Sequence, residues 1–387
     1  MTATMTPRPL RSSGAGKEPS AMRRRTLAAL AATGALLLTA TAATAEGIHN
    51  AWPYRATPNR TAVLAAVGDI ACEPDGDDEG VDTKYLCNGT RQTAQALTAD
   101  QIEAIQPDLV ALLGDEQYQV GRYNDFMGSF DRTYGAFKYL QRPAPGNHEF
   151  YDYKDGEKGV DGSGYYAYYN GRSLDSAGSP LTDAQGQPVP RAHGQAGTAG
   201  QGWYSYNLGA WHIISLNAEC KVQSGGCSAD GAWVKQQTAW LRDDLAADHA
   251  PCTLAYWHQP AFSASADPSN EGGMSQTAWW PLLYKAGVDV VLNGHEHLYA
   301  RFAPQNPQGK ADPHKGITEF IIGTGGEGLD TLAPADQSPN RVTGNDTSYG
   351  VSRFVLKPMG YSWLYRAANG TGYTDSGSAR CHGPAHH

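Results

Sequence analysis

Basic residues are scarce in this chain: across 387 residues, 30 Lys and Arg stand against 39 Asp and Glu. An acidic body of this kind carries no electrostatic footprint for nucleic acid or an anionic membrane, so neither is expected as a partner. Cysteine is sparse as well, and none of the six residues falls in a Cys-x-x-Cys pair, which argues against a zinc–thiolate site. Beyond residue 45 no apolar run reaches the ~20 residues needed to cross a bilayer. No internal repeat, low-complexity tract or linker breaks the chain.

What is present begins with the N-terminus. Arg23-Arg24-Arg25 precedes an apolar stretch from Leu27 to Leu38 and then Ala43-Thr44-Ala45. This order of basic, apolar and small residues predicts a signal peptide over residues 1–45, cleaved near Ala45. The competing reading, a membrane anchor, is the weaker one because the apolar core falls short of the ~20 residues a span requires. The paired arginines leave Sec and twin-arginine export both open, and either makes the product secreted. Removing residues 1–45 takes away six basic and one acidic residue, leaving 24 against 38 and a net charge of −14. An even number of cysteines in an exported chain predicts disulfides. The expected pairs are Cys220–Cys227 across a short Gly-rich turn, Cys72–Cys87 and Cys252–Cys381.

Residues 46–387 read as a single α/β domain with long surface insertions at about 152–202 and 261–277. Ala62–Val67, Leu109–Leu113, Cys252–Trp257, Val288–Leu292 and Ile317–Ile322 are short apolar runs of the buried-strand type. Thr90–Ile105, Tyr123–Tyr134, Ala229–Ala247 and Ala278–Ala286 read as helices. Trp203–Asn207 with Trp211–Asn217 predicts a hairpin, and Tyr349–Leu356 with Tyr361–Ala367 a late strand pair. The stretch from Asp152 to about Gly202, rich in Gly, Ser and Asp, reads as surface loop. His212, inside the hairpin, reads as structural.

The polar residues that matter stand at strand ends. Asp69, Asp115, Asn147, His258 and His295 each follow a short apolar run, and in open α/β sheets the carboxyl ends of the strands form the ligand crevice. Carboxylate, phenol, amide and imidazole gathered there form the donor set of a two-metal site. Glycine precedes Asp, Asn or His in four of the segments, which predicts sharp turns aiming the next side chain into the crevice. His295 and His297, two apart, face the same way along an extended segment.

Gly68-Asp69, Gly114-Asp115-Glu116-Gln117-Tyr118, Gly146-Asn147-His148-Glu149, Trp257-His258 and Gly294-His295-Glu296-His297 resemble the five ordered motifs of calcineurin-like metallophosphoesterases. More narrowly, they resemble the purple acid phosphatase branch. Most of the wider family carries a histidine two residues after the first aspartate, where this chain has Ala71. The purple branch instead supplies a tyrosine from Gly-Asp-x-x-Tyr, the place of Tyr118. The resemblance implies an α/β/β/α sandwich of two packed mixed sheets flanked by helices. It implies that Asp115 bridges two metal ions. Asp69, Tyr118 and His297 would complete an Fe(III) site, and Asn147, His258 and His295 one for Fe(II), Zn or Mn. His148 would contact the phosphate or protonate the leaving group, so His148 and Asp115 are the expected catalytic residues. Glu149 and Glu296, and with them Glu116, are candidates for hydrogen bonds to ligand histidines.

The implied reaction is hydrolysis of small phosphate monoesters through a metal-bridging hydroxide. A phosphodiesterase or nucleotidase of the same fold is the alternative, and a non-catalytic binding protein the remote one. The resemblance runs from about Val63 to Tyr299. The β-sandwich domain that plant enzymes carry ahead of the catalytic domain is not expected in the about 23 residues between Ala45 and Asp69. In the family, substrate contacts arise in the segment matching Ala261–Gln276, which here holds Asp267, Asn270 and Glu271 but no histidine.

Overall fold

The computed structural model describes residues 59–74, 86–151, 161–184, 186–267, 278–368, 370 and 372–383. The predicted signal peptide lies outside the described residues, as do Asn270 and Glu271.

Two mixed sheets face each other. The first has six strands in the order β15-β14-β13-β1-β2-β3. They are β1 (Ala62–Val67), β2 (Leu109–Leu113), β3 (Gln141–Ala144), β13 (Gly350–Lys357), β14 (Gly360–Ala367) and β15 (Thr374–Arg380). The second has seven, in the order β12-β10-β11-β9-β8-β7-β6. These are β6 (Tyr204–Leu208), β7 (Trp211–Ser215), β8 (Cys252–Tyr256), β9 (Val290–Asn293), β10 (Tyr299–Phe302), β11 (Thr318–Ile322) and β12 (Arg341–Asn345). A small ribbon, β4 (His193–Gly194) with β5 (Gly197–Thr198), stands apart. The parallel stretches, β1–β2–β3 and β7–β8–β9–β11, are the ones whose carboxyl ends carry the polar motifs.

The period of two along each strand assigns the layers. Leu64, Ala66, Leu109, Ala111 and Leu113 point inward against Ile213, Leu254, Tyr256, Val290 and Leu292 of the other sheet. Their neighbours Ala65, Val67, Val110 and Leu112 point outward and pack on Ile102, Phe126, Phe130 and Tyr134. On the far side Ala255, Trp257 and Val291 pack on Val234, Leu241, Trp280 and Leu283. The result is an α/β/β/α sandwich, with central strands buried on both faces and hence continuously apolar.

Local chemistry sets the boundaries. Asn88 caps the first long helix, Gly89–Ile105, by accepting the backbone N–H groups of Thr90 and Arg91. The helix ends at Gln106 in the left-handed region, just before Pro107. Pro143 is tolerated inside β3 because β3 is an edge strand pairing only with β2. Three disulfides close Cys72–Cys87, Cys220–Cys227 and Cys252–Cys381.

One expectation needs correction. Residues 174–184 run exposed, but Ser163–Asn170 is a helix with every residue buried. Its tyrosines fill the outer face of the first sheet: Tyr168 stacks on Phe126 at 4.9 Å and Tyr165 meets Tyr169 at 5.2 Å. The surrounding glycines and serines dilute this aromatic octet in any composition count. The segment is core, because four tyrosines bury too much apolar area to be left on a loop.

His212 ties the β6–β7 hairpin to the helix Ala232–Ala247. Its Nε2 lies 2.8 Å from Asp244 Oδ2 and its Nδ1 3.2 Å from Asn207 Oδ1, all buried or nearly so. Burial opposes its charge, but Asp244, with Asp248 Oδ1 3.6 Å from Nδ1, outweighs burial and raises its pKa. A proton held more tightly folded than unfolded stabilises fully below about pH 6.5, the unfolded value, and fades as pH rises through the folded value. His212→Ala is expected to cost about 3 kcal/mol at pH 5.5, and measurably less at pH 9, in urea unfolding. An equal cost at both pH values would refute the charged pair.

Candidate metal centre

The loops leaving β1 and β2 run side by side past the strand ends. Asp69, Ile70 and Ala71 donate their N–H groups to the carbonyls of Gly114, Asp115 and Glu116, at 3.1, 2.9 and 3.0 Å. Tyr118 N–H returns to Ala71 O at 2.8 Å, so the phenol enters from the chain alongside Ala71. Three of the acidic and imidazole residues sit in the left-handed region: Asp69 (φ 60°), Asp115 (φ 48°) and His295 (φ 69°).

Gly114, with φ 89°, turns in the left-handed region as expected, but Gly146 and Gly294 do something other than turn sharply. A Cβ on Gly146 would sit 2.2 Å from Asp115 Oδ1, and one on Gly294 2.6 Å from Asp69 Oδ2. Neither has positive φ. These glycines are needed for close approach, while the unusual dihedrals fall on the ligand residues themselves.

Two crowded clusters result. In the first, Tyr118 Oη lies 3.0 Å from Asp69 Oδ1, 3.0 Å from Asp115 Oδ2 and 2.9 Å from His297 Nε2. In the second, His258 Nε2 lies 3.0 Å from Asp115 Oδ2, 3.1 Å from Asn147 Oδ1 and 3.2 Å from His295 Nδ1. Asp115, His258 and His295 offer ligand atoms all within 4.8 Å of one another.

Backbone carbonyls set the imidazole tautomers. His258 Nδ1 meets Leu113 O at 2.8 Å, His297 Nδ1 meets Gly328 O at 2.7 Å, and His148 Nδ1 meets Gln119 O at 2.6 Å. With the hydrogen at Nδ1, each Nε2 turns a lone pair inward. One phenol hydrogen cannot serve three acceptors, and around His258 Nε2 the lone pairs again outnumber the protons. A surplus of buried lone pairs is what cations satisfy, so the residues present fit a two-metal site.

Charge says the same. Burial opposes charge on His258 and His297, yet Asp115 and Asp69 push them up to about 10 and about 9. A proton on each Nε2 would supply that positive charge, and a bound cation would take the proton's place and leave Nε2 its lone pair. Burial and the charge on His258 hold His295 well below the ordinary value. Burial, then Asp115 and Asp69, raises the Tyr118 phenol well above its own.

The acidic neighbours of the motifs brace backbone rather than imidazole. Glu149 Oε2 accepts the N–H groups of Asp115 (3.0 Å) and Gly146 (2.8 Å), and Oε1 that of Gln117 (3.2 Å). Burial, with the charge of Asp115, lifts its pKa to about 8. Glu296 Oε2 accepts Ala264 N–H at 2.8 Å and so fixes the loop after His258. Glu116 is buried, and burial with Glu149 and Asp115 raises its pKa well above the ordinary value. The expected hydrogen bonds between these carboxylates and ligand histidines are therefore replaced: the carbonyls of Leu113 and Gly328 hold His258 and His297, and that of Gln119 holds His148.

Sequence reading also passed over the Gly323–Asp330 loop after β11. Asp330 Oδ2 accepts His297 N–H at 2.9 Å while Asp330 N–H donates to His297 O at 2.9 Å. Glu327, buried, pairs with Arg91 at 2.8 Å behind the same site. A Gly-rich run at another parallel strand end was the available signal. The aromatic segment Tyr165–Tyr169, part of the stretch read as surface loop, is buried.

A family model described as calcineurin-like phosphoesterase matches residues 62–299. The chain belongs to the calcineurin-like phosphoesterases. Its sequence similarity runs to the purple acid phosphatase branch: it is 30% identical over 161 residues to purple acid phosphatase 18 of Arabidopsis thaliana, covering 40% of this chain and 34% of that one. The chain spans well under half the length of the curated relatives it matches. Among solved structures it resembles a purple acid phosphatase from yellow lupin seeds, with TM-score 0.53 and 17% identity over 84% of this chain and 55% of that one. It also resembles GAP50 of Plasmodium, titled an anchor in the inner membrane complex, with TM-score 0.54 and 12% identity over 83% and 88%. These likenesses show the fold. Membership in this phosphoesterase family implies a dinuclear metal centre, and the two clusters that share Asp115 are where it fits.

Glu149→Ala should strand three buried N–H groups and lower stability by about 3 kcal/mol or more. It should also lower the metal retained after dialysis, read by elemental analysis. Unchanged metal content would show that the two loops hold their course without Glu149.

Proposed function

We propose that this calcineurin-like phosphoesterase is an exported, metal-dependent phosphatase that hydrolyses small phosphate monoesters. One observation carries the reading: two clusters of ligand atoms share a single carboxylate, Asp115, at the crevice formed by parallel strand ends. Asp69, Asp115, Tyr118 and His297 would hold one ion, and Asp115, Asn147, His258 and His295 the other. A phenol is a hard anionic donor once ionised, which favours Fe(III) in the first position, while the imidazole-rich second suits Fe(II), Zn or Mn. Two bound cations supply Lewis acidity that activates water and neutralises phosphate oxygens.

His148 completes the set. Its Nδ1 is fixed on Gln119 O and its ring lies 4.2 Å from that of Tyr118, leaving Nε2 3.9 Å from Asp115 Oδ2. Burial lowers its pKa, and Asp115 opposes this only in part. A phosphate dianion beside Nε2 favours the imidazolium. His148 is then a general acid, passing the Nε2 proton to the leaving oxygen as the P–O bond breaks. Export is supported by the three disulfides, which fit an oxidising compartment. Among the described residues no helix is long and apolar enough to cross a membrane. The monoester preference is supported by the similarity to purple acid phosphatases.

Purified protein should turn over p-nitrophenyl phosphate faster than bis-p-nitrophenyl phosphate. Asp115→Asn should lower kcat/KM by more than the roughly 10–100-fold that loss of a partner outside the ligand set costs. Faster cleavage of the diester would replace the monoester reading with a phosphodiesterase one, and an unimpaired Asp115→Asn would remove the dinuclear reading. If Tyr118 binds Fe(III), the protein shows a visible tyrosinate–iron charge-transfer band that Tyr118→Phe abolishes. A colourless, fully active protein holding only divalent ions would cancel the iron assignment alone.

A further inference from the structure

We propose that Tyr151 is a positioning and specificity-determining residue, fixing the Asn147 amide with its phenol and offering its ring to aromatic leaving groups. The ligand class, an aryl phosphate ester, rests on the phosphatase reading above.

The phenol is placed to control a ligand whose two ends look alike. A carboxamide presents nearly the same shape with its oxygen or its nitrogen forward, and only the oxygen binds a cation. Asn147 Nδ2 donates to Tyr151 Oη at 2.9 Å. That bond leaves Oδ1 facing the second cluster, 3.1 Å from His258 Nε2. The geometry follows from the local fold. Asn147 starts a short 3-10 turn, His148–Phe150, that delivers Tyr151 back beside it. Phe150, fully buried, anchors the turn from beneath.

The ring has a second role because of where it ends up. Tyr118, His148 and Tyr151 form a run of three rings, with centroid separations of 4.2 and 4.8 Å. Exposure climbs along it from 0% through 8% to 39%. Tyr151 is thus the outermost ring, next to the imidazole that protonates the leaving oxygen. A group departing from that oxygen passes over Tyr151. An aromatic leaving group can stack there, whereas an aliphatic one gains no ring contact.

The test uses the full metal-loaded chain and two non-hydrolysable probes, phenylphosphonate and methylphosphonate, measured by calorimetry. The parent should bind the phenyl compound about 3- to 10-fold more tightly. Tyr151→Phe should keep that preference but lose metal to a chelator several-fold faster, and Tyr151→Leu should lose both properties. Equal affinity of the parent for the two probes, or a preference that survives Tyr151→Leu, overturns the aromatic platform. Metal loss from Tyr151→Phe at the parental rate overturns the positioning role. If neither phosphonate binds the loaded parent, the phosphatase reading falls and the platform with it, while the chelator measurement still decides the hold on Asn147.

Discussion

Asp115 is engaged at every polar atom, and the rest of the centre is arranged around it. Oδ1 accepts the backbone N–H of His148 at 2.8 Å, and Oδ2 faces Tyr118 Oη and His258 Nε2, each at 3.0 Å. Its own N–H donates to Glu149 and its carbonyl accepts from Ile70. One residue therefore joins the loops after β1, β2 and β3 to the end of β8. Both donor clusters use the same carboxylate, so a displacement of β2 would disorganise both at once. This is why the strand beneath it, Leu109–Leu113, is wholly buried and sits between two parallel neighbours: a shared ligand needs a rigid mount.

The centre also concentrates strain. Left-handed backbone at a non-glycine residue costs about 1 kcal/mol or more, and Asp69, Asp115 and His295 all adopt it at one rim. Local hydrogen bonds over-determine each. His295 N–H donates to Asp69 Oδ2 at 2.9 Å, and Gly325 N–H to Gly68 O at 2.9 Å behind Asp69. Close-approach glycines let the loops interlock without a Cβ between them. The strain is compensated by packing rather than relieved, as expected where a constellation must be pre-organised.

Much of this was legible from residues alone, and the reasons differ by element. Interior strands such as Ala62–Val67 and Leu109–Leu113 are buried on both faces, so their apolar runs have clean ends. Edge strands β12 and β15, polar and partly exposed, carry no such run and went unseen. The Tyr165–Tyr169 helix was hidden by glycines on either side. Asp69, Asp115, His258 and His295 are readable because each follows a strand that can be read, whereas Asn147, after the unread β3, is marked by its motif alone. The carbonyls of Leu113, Gly328 and Gln119 that orient the imidazoles could not be, since any residue type supplies a carbonyl and only the fold decides which one arrives. Glu149 was noticed but given the wrong partner, because a motif position says that a carboxylate is present and not which way it points.

Topology by itself does not carry hydrolysis, since the same architecture recurs in a protein titled an anchor. What separates a catalytic member from a scaffold is the electrostatic cost of the site. Burying polar groups is costly, and here several ligand atoms crowd round Tyr118 Oη and His258 Nε2 with more lone pairs than hydrogens among them. A scaffold with no use for cations would lose nothing by replacing the whole cluster with apolar residues of similar size, whereas removing one member alone strands its partners. Keeping them all makes physical sense only if something positive settles between them. Folding and metal binding then become linked, because ions that bind the folded state and not the unfolded one draw the equilibrium toward the fold. The groups that would bring phosphate and water together would thus be the same ones through which bound metals stabilise the fold.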